Sequence, residues 1–116
     1  MKEDYILSEH RAVQDFLEYG AIKVPFSGAL PGDKLDIELT ELKLAGYRIS
    51  NKYTNKKSFS IKLDDWEKDK KQAQLCGSKF FRRIELEDPL TGKLTKIICI
   101  DQDLFQELLL NEEEKA

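Results

Sequence analysis

Val24-Pro25-Phe26-Ser27-Gly28-Ala29-Leu30-Pro31-Gly32-Asp33-Lys34-Leu35-Asp36-Ile37, with Ile49-Ser50-Asn51-Lys52-Tyr53-Thr54 after it, decides how this chain is read. The first half opens as a turn-rich loop, since Gly and Pro punctuate Phe26 to Gly32. Two strands are predicted next, Asp33 to Lys43 and Tyr47 to Thr54, joined through Leu44-Ala45-Gly46 as a hairpin. Strand side chains alternate between faces, so Asp36, Glu38 and Thr40 share one side and Ile37 and Leu39 the other. On the second strand Arg48, Ser50 and Lys52 face one way and Ile49, Asn51 and Tyr53 the other. Packing Ile37, Leu39, Ile49 and Tyr53 into a core leaves Asp36, Glu38, Ser50 and Lys52 together on a polar face.

Working outward, Ser8 is a candidate cap for a first helix that presents Val13, Phe16 and Leu17 and stops at Gly20. Ala21 to Phe26 alternates weakly as a strand. Phe59, Ile61 and Leu63 read as a short extended piece. A helix capped by Asp64 or Asp65 is predicted to run to about Cys76, with Gly77 as its stop. Phe80 to Leu86 and Lys96 to Ile100 are strands around the turn Asp88-Pro89-Leu90-Thr91-Gly92. Asp101 or Asp103 opens a last helix presenting Leu104, Phe105, Leu108 and Leu109. The acidic residues 110–116 are expected to fray. The predicted order is α-β-β-β-α-β-β-α: one α/β (α+β) domain over residues 1–116, with a central mixed sheet of about five strands flanked by helices.

The chain has 116 residues, 41% hydrophobic and 35% charged, enough for a single core without staples. No apolar run approaches a membrane span, and no apolar stretch follows Met1 to Tyr5, so neither a membrane protein nor a signal peptide is expected. Cys76 and Cys99 form no metal knuckle or disulfide framework; they read as small core residues of a cytoplasmic protein. His10 is the only histidine. That excludes a histidine-based triad, and His10 reads as decoration of the first helix. The net charge of −3 averages over an uneven chain. Arg48 to Arg83 holds eleven Lys/Arg against four acids, whereas Ile84 onward holds three against nine. A basic middle of this kind suits phosphate contact. Lys56, Lys57, Lys68, Lys70, Lys71, Lys79, Arg82 and Arg83 are its candidates, while Phe80 and Phe81 read as core packing.

The polar face has the makings of a divalent-metal site. Carboxylates supply hard oxygen ligands for Mg²⁺ or Mn²⁺, and a neighbouring lysine orients a water or steadies developing charge.

Taken together these segments resemble the PD-(D/E)XK nuclease superfamily, and particularly the small Holliday-junction-resolvase-like endonucleases of phages and archaea. The resemblance covers roughly Ser8 to Leu86. It rests on Val24 to Ala29, Tyr53-Thr54, Ser58-Phe59-Ser60-Ile61-Lys62, Trp66-Glu67-Lys68 and Gln72-Ala73, in that order and spacing. It implies a restriction-endonuclease-like core and Mg²⁺-dependent (or Mn²⁺-dependent) cleavage of branched DNA in recombination. Lys52, Ser50, Glu9 and Gln72 would then form the catalytic set, and Ser27, Lys56, Lys57, Lys68 and Arg82 would contact DNA. Paired cuts in a four-way junction imply a homodimer, formed through apolar surface on the first or last helix.

Two registers fit the core motif. In one, Asp33 is the metal-binding aspartate and Glu41-Leu42-Lys43 the Glu-x-Lys, with only seven residues between Asp33 and Glu41. In the other, Asp36 is the aspartate and Ser50-Asn51-Lys52 stands at the Glu-x-Lys position. The second is preferred because it makes a proper hairpin. It places Ser50 where a carboxylate belongs, and either Glu38 or Glu41 supplies the missing charge or the chain is a variant made inactive on purpose. The alternative is an impaired module that binds DNA or a protein without cutting.

Overall fold

The computed structural model describes residues 2–24 and 36–115. Ser27, Asp33 and the loop before Asp36 lie outside them. The elements are α1 (Lys2–Asp15), β1 (Ile22–Lys23), β2 (Ile37–Glu38), β3 (Tyr47–Thr54), α2 (Leu63–Leu75), β4 (Lys79–Glu87), β5 (Leu94–Cys99) and α3 (Gln102–Lys115). The five strands lie in sequence order in one mixed sheet. Only β3 and β4 are parallel, joined by α2 as the crossover; the other neighbours are antiparallel. This is the α+β architecture expected, with three helices on a five-stranded sheet.

Alternation sorts the sheet into two faces. Ile37, Leu39, Tyr47, Ile49 and Phe81 form the main core with Ala12 of α1, and Phe16, Leu104 and Leu108 pack against it. Each such large apolar side chain contributes about 1.5–3 kcal/mol on burial. The opposite face has a smaller cluster, Phe80 with Ala73 and Trp66 of α2. Phe80 and Phe81 are therefore core residues, as expected, on opposite faces.

Several boundaries differ from expectation. α1 starts six residues before Ser8, with Glu3 and Asp4 in its first turn where the helix dipole favours acids. Ser8 is thus a mid-helix residue, fully buried, accepting a hydrogen bond from Asn51 Nδ2 at 3.0 Å rather than capping. β2 is two residues long, and Leu42–Leu44 form a 3-10 turn instead of continuing the strand. No strand forms at Phe59 to Leu63; Leu63 begins α2, and Asp64 and Asp65 lie in its first turn rather than at its cap. At the other end Gly77 (φ 67°) stops the helix as expected. Ser78 N–H reaches Ala73 C=O (2.8 Å) and Gly77 N–H reaches Gln74 C=O (3.0 Å), a Schellman closure. α3 continues through Lys115, into the segment expected to fray.

Gly20 also follows a physical requirement. Its φ is +68°, and a Cβ there would lie 2.1 Å from Thr40 Oγ1, whose hydroxyl donates to Gly20 C=O. α1 itself ends at Asp15, so Gly20 closes the 3-10 turn Leu17–Tyr19 rather than the helix. This hydrogen bond ties that turn to the β2–β3 hairpin.

Candidate functional site

β2 and β3 pair so that Ile37 faces Ile49 and Glu38 faces Arg48. One step earlier, Asp36 N–H donates to Ile49 C=O at 3.1 Å. Asp36 thereby stands beside Ser50 and Asn51, the neighbourhood the second register requires. Its carboxylate takes over part of the ladder: Asp36 Oδ2 accepts the backbone N–H of Asn51 at 2.8 Å. The Tyr5 hydroxyl, reaching from α1, shares its proton between Asn51 C=O (3.0 Å) and Asp36 Oδ2 (3.2 Å). Backbone groups of a strand need partners, and here side chains provide them.

Glu9 lies one turn along α1 from Tyr5 and is buried. Burial pushes its carboxyl above the ordinary carboxylate range, and the charge of Asp36 pushes it further. Lys23, with Nζ 3.7 Å from Glu9 Oε1, opposes both. The Tyr5 phenol is driven up strongly, first by burial and then by Asp36 and Glu9, with a contribution from Asp69. Negative charge from three elements therefore converges on the Tyr5 hydroxyl.

The supposed polar face is not open at Ser50. α2 lies over it, and Ser50 is 2% exposed. Ser50 Oγ donates to Asp69 Oδ2 at 2.9 Å, and Arg82 Nη2 donates to the same oxygen at 2.8 Å. The Arg82 guanidinium lies 5.2 Å from the centroid of the Trp66 ring, within cation–π range. Arg82, expected on DNA, is 1% exposed and so cannot meet a phosphate. Arg83 is equally buried on the other face, bonded to Asn51 Oδ1, Asp15 and Glu85. Arg11 also donates to Glu85. Burial alone would raise the Glu85 carboxyl, but hydrogen bonds from Arg11 and Arg83 hold it below the ordinary range.

Lys52 is half-buried, shares the Ser50 face and sits opposite Ile84 in the β3–β4 register. Gln72 is half-buried on α2, and its Oε1 is buried with no partner among the described residues. Glu38 pairs with Arg48 at 3.7 Å. Glu41 is exposed at the start of the 3-10 turn, at the far end of the hairpin from Asp36. Neither Glu38 nor Glu41 thus stands in for a carboxylate at Ser50, and Glu41-Leu42-Lys43 is not on a strand. Lys56, Lys57, Lys68 and Lys71 are exposed. Lys70 and Lys79 are paired with Asp101 and Glu107. His10 is exposed on α1, and the two cysteines, expected in the core, are half-buried and outside both core clusters.

Sequence reasoning missed Tyr5, Asp69 and the inward turn of Arg82. Asp69 left a signal: it lies between Trp66 and Ala73 at helical spacing, a carboxylate on the face that meets the sheet.

Among the described residues, no group of three or more His, Cys, Asp or Glu side chains is placed to hold an ion by itself. No described helix is long and apolar enough to cross a membrane. Neither a family model, a curated protein nor a solved structure matches the chain.

Proposed function

We propose that this domain is a metal-assisted DNA endonuclease selective for branched structures, of the Holliday-junction-resolvase kind, working as a homodimer. The observation that carries the reading is the position of Asp36. It stands beside Ser50-Asn51-Lys52 on the paired strand, with Glu9 brought to it from α1.

The donor set fits a divalent cation of the Mg²⁺ type. Such an ion commonly takes one or two carboxylates and completes its shell with water and phosphate oxygens. Glu9 and Asp36 are two oxygen donors whose mutual repulsion a cation would relieve, and the Asn51 N–H and Tyr5 hydroxyl orient Asp36. Bound there, the ion would polarise the scissile phosphate and acidify an attacking water. Lys52, which forms no ion pair with a described residue, would place its ammonium against developing phosphate charge. Exposed Lys56 and Lys57, which follow β3, and Lys68 on α2 would hold the DNA backbone.

A second reading, a DNA-binding module that no longer cuts, is favoured by the burial of Ser50 beneath α2. Cleavage of a labelled four-way junction and a linear duplex, with Mg²⁺, Mn²⁺ or EDTA, separates the two. Metal-dependent nicks in the junction are expected, and their loss in Lys52→Ala. Junction binding without nicks would establish the second reading, and no binding at low salt would end both.

A further inference from the structure

We infer that Asp69 is a positioning acid of this site, carried on α2 instead of at position 50 and held in place by Ser50. The inference rests on the nuclease reading above and names a residue that reading lacks.

Ser50 is a poor ligand for a hard cation but a good hydrogen-bond donor. Its hydroxyl and the Arg82 guanidinium both grip one oxygen of Asp69, Oδ2. The other oxygen, Oδ1, makes no hydrogen bond to a described residue, and the side chain keeps 18% of its surface exposed. A carboxylate anchored through one oxygen presents the second in a fixed direction. Two further buried atoms in the same layer lack protein partners among the described residues: Arg82 Nε, and Gln72 Oε1 one turn along α2. A buried donor and a buried acceptor left open are each suited to ordered water.

Ser50, which holds Asp69, directly precedes Asn51, whose backbone N–H bonds Asp36 at 2.8 Å, so the two acids are tied to adjacent residues of β3. Glu38 and Glu41, the other acids of the hairpin, are committed to Arg48 and displaced to the far end respectively. Asp69 does not close a three-acid cage with Glu9 and Asp36. Its role is therefore that of a positioning residue, holding a water of the cation's shell rather than the cation itself. Partners of this outer kind typically change metal affinity 10–100-fold.

The test is Mn²⁺ binding to the full chain without DNA, followed by calorimetry and by emission of Trp66, the single tryptophan, which lies against Arg82. Asp69→Asn keeps an oxygen for Ser50 and Arg82 and is expected to weaken Mn²⁺ binding roughly 10-fold or more. Asp36→Asn should weaken it further. The exchange Ser50→Asp/Asp69→Ser, which returns the acid to the strand beside Arg82, should recover most of the affinity. If Asp69→Asn binds Mn²⁺ like the wild type while Asp36→Asn does not, Asp69 is only a partner of Arg82 and this inference falls alone. An exchange variant that folds but stays as weak as Asp69→Asn also overturns it. If the wild type itself binds no Mn²⁺, the inference and the metal-dependent reading fall together.

Discussion

The carboxylate of Asp36 and the backbone N–H of Asn51 are joined at 2.8 Å, so one side chain both finishes the pairing of β3 and defines the candidate site. Structure and chemistry at this residue separate by substitution. Asp36→Asn retains an acceptor and should melt within a few degrees of the wild type, yet show no Mg²⁺-dependent cleavage. Asp36→Ala leaves the N–H without its partner and should cost about 1–3 kcal/mol. A thermal melt beside a junction-cleavage assay reads both. Equal loss of stability in the two variants would make Asp36 a structural residue.

Buried arginines are the feature with the largest expected effect on stability. Arg83 and Glu85 lie 2.7 Å apart with almost no exposure, and Arg11, Asp15 and Asn51 complete their bonding. Replacing Glu85 by Ala leaves Arg83 without its innermost carboxylate. The expected cost is about 3–5 kcal/mol by urea denaturation, because a buried charge loses its counter-ion. A loss below about 1 kcal/mol would show that Asp15 suffices.

The same network sets an acid limit. Glu85 and Asp15 are both held below their ordinary values of 4.5 and 3.8, burial being outweighed by the cationic partners of each. A carboxylate whose folded pKa is depressed stabilises the fold above its unfolded value and loses that stability as pH falls through the folded one. Stability should therefore hold near neutrality and decline below about pH 4.5, and Glu85→Gln should decline less steeply. Melting temperatures between pH 7 and pH 3 supply the comparison.

Basic residues should divide into two classes. Lys56→Ala, Lys57→Ala and Lys68→Ala, all at exposed positions, are expected to weaken junction binding and to lower its salt slope by about 0.9 for each phosphate no longer neutralised. Arg82→Met should instead lower the melting temperature, since Asp69 and Ser50 lose a shared partner. Its salt slope should stay unchanged. Fluorescence anisotropy over a range of NaCl concentrations distinguishes the classes, and an unchanged slope in the triple lysine variant would place the DNA surface elsewhere.

Much of this molecule follows from periodicity. The order of eight elements, β3 in full, the Gly77 stop and the two-face division of Ile37, Leu39 and Ile49 all come from local spacing and turn chemistry. So does the alignment of Asp36 with Ser50, because alternation on two antiparallel strands leaves few registers that bury the same apolar face. What covers the other face is not a local property. Only the β3–α2–β4 crossover determines that α2 lies over Ser50, delivers Asp69 to it, and draws Arg82 inward against Trp66. A lone arginine in sequence reads as surface, since burial of its charge is tolerable only with partners contributed from elsewhere in the chain. Sequence by itself thus determined which residues share a face. Tertiary packing decided which of those faces is wet, because desolvation and ion pairing depend on segments that meet only once the sheet and helices are assembled.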